Sequence, residues 1–278
     1  YLNILPKLFN IEPWIEKKLF NDEAAGSVQG GSYSLSDTTV WAKGIRGQNI
    51  VLGESDSEIM TDHDMFYDPA YPITDQGEGW GETWGWYPDH RKVIAYLPWI
   101  DGNPGVDFDG DGVNDDSSSF EAPGNETVYH GTHVAGTIAG EDSYVGGTSN
   151  YDGGSKGARI FFIDVGRHEL QQQGSSRWQK LIIPFYMYRW LYLRSYTGHW
   201  GHVDSARTIS NSWGDTMGTH VYDATMKQTD QFVWEYPDFV ILFAMGNEGT
   251  ETNNSNACAK NVIGVGACDN TDALASFS

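Results

Sequence analysis

Apolar residues are gathered into short runs bounded by glycine or polar clusters, with stretches of helical spacing between them. Residues 50–56 (Ile-Val-Leu-Gly-Glu-Ser-Asp), 158–165 (Ala-Arg-Ile-Phe-Phe-Ile-Asp-Val) and 239–244 (Phe-Val-Ile-Leu-Phe-Ala) have the length and apolar density of strands covered on both faces. Residues 91–97, 206–211 and 262–267 are shorter runs of the same kind. A short helix around Val40 and Trp41 should stop at Gly44, and longer helices are predicted from His130 to Gly140, over 223–236, and over 177–193 with a large aromatic face. Strands alternating with helices predict an α/β fold, a mostly parallel sheet with helices on both faces. No internal repeat is visible.

The pattern also divides the chain. Residues 1–34 read as an N-terminal extension and linker: Leu8, Phe9, Ile11, Trp14, Ile15, Leu19 and Phe20 recur near helical spacing around Pro13, and Gly and Ser dominate 26–36. Residues 35–278 read as one domain, with an acidic, aromatic-rich insertion over about 66–126. Between Asp68 and Glu126 the only Lys or Arg are Arg91 and Lys92, while Trp80, Trp84, Trp86 and Trp99 crowd one stretch as a local core. The most apolar segment, residues 181–193, is too short for a bilayer and carries Pro184 and Arg189. A chain that opens on Tyr1 is expected to have lost a leader.

Charge narrows the partners. With 38 Asp and Glu against 17 Lys and Arg, the net charge is −21, which argues against phosphate-backbone binding and for divalent cations. One loop is built for such an ion. Asp107, Asp109, Asp111 and Asp115 stand at positions 1, 3, 5 and 9, Gly112 at position 6, and Val113 offers its carbonyl at position 7. Ser118 replaces the usual glutamate at position 12, so the expectation is a structural calcium loop outside a helix-loop-helix frame. Cys258 and Cys268 allow one disulfide, but the extended run between them holds them apart. Cysteine usage therefore says little about compartment.

The chemistry gathers around His130-Gly131-Thr132-His133-Val134-Ala135-Gly136, where a histidine opens a run of small residues. Small side chains let the helix lie against a sheet and leave the histidine at its mouth, where a general base can work. The strand ending Gly53-Glu54-Ser55-Asp56-Ser57 would offer a carboxylate at the carboxyl edge of a parallel sheet, where ligands gather. Asn211-Ser212-Trp213-Gly214 and Ala244-Met245-Gly246-Asn247-Glu248-Gly249 come next in order.

Together these four pieces resemble the subtilisin-like serine protease (subtilase) family, and the likeness covers roughly residues 35–278. The resemblance implies a subtilisin-like fold and peptide-bond hydrolysis by Asp-His-Ser acyl transfer. Asp56 would orient His130, His130 would take the serine proton, and Asn247 would donate to the oxyanion. Ser212, Trp213 and Gly214 would form one wall of the primary specificity pocket, and Ala244, Met245 and Gly246 the other. Glu58 stands where the family has glycine, and Val128-Tyr129 replaces its usual Asn-Gly. The family's Gly-Thr-Ser-Met-Ala serine motif is absent from the 278 residues. The expectation is a secreted or cell-surface endopeptidase that receives its serine from a C-terminal segment or fragment of the same protease, beyond residue 278. A non-catalytic, protease-like peptide-binding or structural module is the alternative. A zinc site at His130 and His133 is disfavoured, because the zinc-protease motif needs histidines four apart with a glutamate between.

Overall fold

The computed structural model describes residues 29, 38–56, 59–73, 87–98, 130–142, 149, 151–164, 166–170, 177–181, 206–214, 222, 224–247, 256–269 and 273–276. At its centre is a six-stranded sheet in which every pairing is parallel. Its strands are β1 (Val51–Asp56), β2 (Val93–Pro98), β3 (Arg159–Asp164), β6 (Thr208–Asn211), β7 (Val240–Ala244) and β8 (Ile263–Val265), in spatial order β2-β3-β1-β6-β7-β8. The described helices are α1 (Thr39–Ala42), α2 (His130–Ala139) and α3 (Ala224–Glu235), with a short 3₁₀ turn at Asn256–Cys258.

Side chains alternate along a strand, so each strand feeds two cores. In β3, Ile160 and Phe162 join Ala135 and Ala139 of α2, whereas Phe161 and Ile163 join Phe232 of α3. The near-continuous apolar run at 158–165 is thus explained by helices on both faces, as the sequence predicts. The insertion reading changes in one respect. Residues 93–98 lie within the stretch read as an insertion, yet they form an edge strand of the main sheet, with Val93, Ile94, Ala95 and Tyr96 buried.

A second correction concerns residues 177–193. The first five residues are not helical: β5 (Arg177–Leu181) pairs antiparallel with β4 (Gly166–Leu170) in a separate two-stranded sheet. Pro184 lacks an N–H and would have interrupted a helix through this stretch, which frees the residues before it to extend. Residues 182–193, most of the N-terminal extension, the four tryptophans of the acidic stretch, and the proposed calcium ligands Asp107, Asp109, Asp111, Val113 and Asp115 lie outside the described residues.

The loop after α2 fixes the position of that helix. The amides of Gly153, Gly154 and Ser155 donate to the carbonyls of Gly140, Thr137 and Ile138, covering groups that a helix end leaves unpaired. The same loop carries a buried ion pair, Lys156 Nζ to Asp152 Oδ2 at 2.7 Å. The ammonium also lies 4.6 Å from the centroid of the Trp41 ring. Cys258 and Cys268 are both free thiols.

Candidate active site

β1 positions the first site residue. Leu52, Glu54 and Asp56 alternate onto the α2 face, and Asp56 is the last residue of the strand, buried at the carboxyl edge of the sheet. His130, the first residue of α2, places Nδ1 2.7 Å from Asp56 Oδ1. A carboxylate oxygen accepts, so Nδ1 carries the proton and Nε2 keeps its lone pair when the ring is neutral. The Asp56 side chain is 4% exposed and that of His130 59%, so a buried carboxylate supports an open ring. The hydrogen bond to Asp56 raises the His130 pKa above its ordinary 6.5, and partial burial offsets some of that rise.

Ser55 faces the other way and binds the strand ends together. Its Oγ donates to Asn211 Oδ1 at 2.6 Å and accepts from Trp213 Nε1 at 2.9 Å, and Asn211 Nδ2 donates to the Leu242 carbonyl at 2.9 Å. This chain of hydrogen bonds crosses from β1 through β6 to β7. Neither Ser55 nor Asn211 stands out as a strut by periodicity, since each sits among other polar residues near its strand end.

The other predicted residues fall on the same edge. Ser212, Trp213 and Gly214 come directly after β6, while Ala244 ends β7 and leads into Met245, Gly246 and Asn247. Ser212 is half-buried, and Gly214 and Asn247 are exposed. The Trp213 indole is turned into the core, edge-on to Phe243 with ring centroids 5.0 Å apart. What residue 213 can present to a groove is therefore its backbone. Met245 also packs toward the core, and its amide donates to the Val265 carbonyl at 2.9 Å. Gly246 has φ +114°, in the region that favours glycine, so the chain can turn sharply before Asn247.

His133 is exposed, and no group of three metal-ligating side chains occurs among the described residues. Ser57, Glu58, Val128 and Tyr129, where the sequence departs from the expected motifs, lie outside the described residues.

An Asp–His pair and two loops thus lie together on the carboxyl edge of a parallel sheet. The subtilase family profile matches residues 47–278, and the chain belongs to that family of serine proteases. It is 27% identical over 254 residues to the serine protease/ABC transporter B family protein tagA of Dictyostelium discoideum, covering 89% of this chain and 12% of that protein. It is 30% identical over 149 residues to a thermophilic serine proteinase of Bacillus sp. (strain AK1), covering 54% of this chain and 31% of the other. The chain thus spans under a third of the length of either relative. Among solved structures, the CspB protease of Clostridium perfringens superposes with a TM-score of 0.51 at 17% identity, covering 84% of this chain and 41% of that one. The subtilisin-like protease Apa1 of Pseudoalteromonas gives 0.50 at 18% identity, covering 87% and 42%. At these identities the superpositions speak for the fold alone.

Proposed function

We propose that the protein is a secreted or cell-surface serine endopeptidase in which Asp56 and His130 form the base half of a catalytic triad. The observation that carries this reading is the 2.7 Å contact between a buried carboxylate and a half-open imidazole at the carboxyl edge of the sheet. Asp56 selects the tautomer and steadies the imidazolium. His130 Nε2 takes the proton of a serine as it attacks a peptide carbonyl, and later returns it to the leaving amine. Asn247 donates its side-chain amide to the oxyanion, a contact worth on the order of 3 kcal/mol of barrier. Residues 212–214 and 244–246 form the two walls along which the substrate backbone lies.

The nucleophile comes from sequence beyond residue 278, on the same polypeptide or on a fragment that stays associated. The sequence supports this reading in that the family's serine motif does not occur within the 278 residues. The 107–115 loop holds a structural calcium ion, the charge of which offsets mutual repulsion among its four aspartates.

A fluorophosphonate probe on the full-length protein tests the mechanism. It should label a serine outside residues 1–278, and His130→Ala should abolish both labelling and peptide hydrolysis while the melting transition persists. Labelling of His130→Ala at the parent rate would overturn the assignment.

A further inference from the structure

Glu54 is a buried acid that the triad does not use. It lies two residues before Asp56 on β1, on the same face, and is 1% exposed. Neither carboxyl oxygen has a hydrogen-bond partner among the described residues. Its neighbours across the sheet are Phe162 of β3 and Ser210 of β6. The titratable groups on the elements packed around it are Asp56 on its own strand, Asp164 at the end of β3, and His130 and exposed His133 on α2. No lysine or arginine of these strands or of α2 shares this face among the described residues; Arg159 of β3 pairs with Val51, at the other end of the strand.

An ionised carboxylate here would give up hydration without gaining a donor or a cation from the described residues, and would stand beside a second anion. Both effects favour the protonated acid. We propose that Glu54 is a positioning residue that remains a neutral carboxylic acid, so that the catalytic pair carries the charge of Asp56 alone. A second charge at this depth would add to the field on His130 and hold it protonated at pH values where a base is needed. The burial and the charge of Asp56 both push the Glu54 pKa well above its usual 4.5, in agreement with that geometry. The functional side of the proposal rests on the Asp56–His130 reading; the protonation state does not.

The neutral isostere Glu54→Gln separates the possibilities in the full-length protein. The first readout is stability against pH, by denaturant unfolding. The native acid keeps its proton while the unfolded one ionises, so the parent should lose stability as pH rises above 4.5, up to the native pKa. Glu54→Gln should lack that component, so its advantage over the parent should grow about tenfold in the unfolding constant per pH unit in this window. A variant that is less stable than the parent at pH 7, with a gap independent of pH over that window, would mean an ionised and paired Glu54 and would overturn the proposal. The second readout is the acid limb of kcat/KM. Its midpoint should stay at the parent value in Glu54→Gln, whereas a downward shift of a unit or more would show that a charge had been removed, again overturning it. Failure of the catalytic reading would leave no acid limb to measure, yet the stability readout would still report the proton on Glu54.

Discussion

At the scale of single residues, the His130 ring sets two opposite pH responses. Its folded pKa is raised above 6.5, so the Asp56–His130 bond contributes stability fully below pH 6.5 and loses it as pH rises through the folded value. Under the proposed mechanism activity runs the other way, because only the neutral ring is a base. The acid limb of kcat/KM should therefore have its midpoint above 6.5. Asp56→Asn should lower kcat on the order of 10⁴-fold, by favouring the wrong tautomer, and shift that limb to lower pH. A midpoint unmoved in Asp56→Asn would mean that Asp56 does not set the His130 pKa. Exposed His133 serves as the control, and His133→Ala should leave the limb in place. Asp56 and His130 were legible in the sequence because each lies in a contiguous motif that also fixes its element. Glu54 was not, since a lone glutamate in a strand reads as solvent-facing. Its burial depends on β3, β6 and α2, none of which lies nearby in sequence.

At the scale of elements, α2 is held by a loop as much as by its own sequence. A Cβ on Gly153 would stand 2.4 Å from the Gly136 carbonyl oxygen and 2.8 Å from the amides of Ala139 and Gly140. Gly153→Ala must push the loop off the helix end, with an expected cost of about 1–3 kcal/mol. A Cβ on Gly136 would meet nothing within 4 Å, so Gly136→Ala should be neutral or gain up to about 1 kcal/mol of helix propensity. Thermal unfolding of both variants checks the pair, and similar melting temperatures for the two would contradict this picture of the contact. Small residues in the His130 helix signalled close packing, and Ala135 and Ala139 do bury against the sheet. The glycine that admits the loop lies outside that motif. The β4–β5 hairpin was hidden for a related reason. Its segments are polar and mixed, and what makes them strands is their pairing with each other.

At the scale of the whole molecule, the acidic balance of the chain makes cation dependence the expected response. Chelator should lower the melting temperature of the full-length protein, and added calcium should restore it in a concentration-dependent way. A double substitution, Asp109→Ala with Asp111→Ala, should remove most of that response; an unchanged response would place the ion elsewhere. The parallel sheet that puts the site on one edge has a different consequence, in time. Val51 must find Arg159 and Gly53 must find Ile209 before β1 is enclosed, and Asp56 meets His130 across 74 positions of sequence. Pairings so distant along the chain close large loops before they return any contact energy, which slows the search for the native topology. The burial of Asp56 against His130 thus depends on these long-range pairings, and recovery of that contact should trail local structure in a refolding chain.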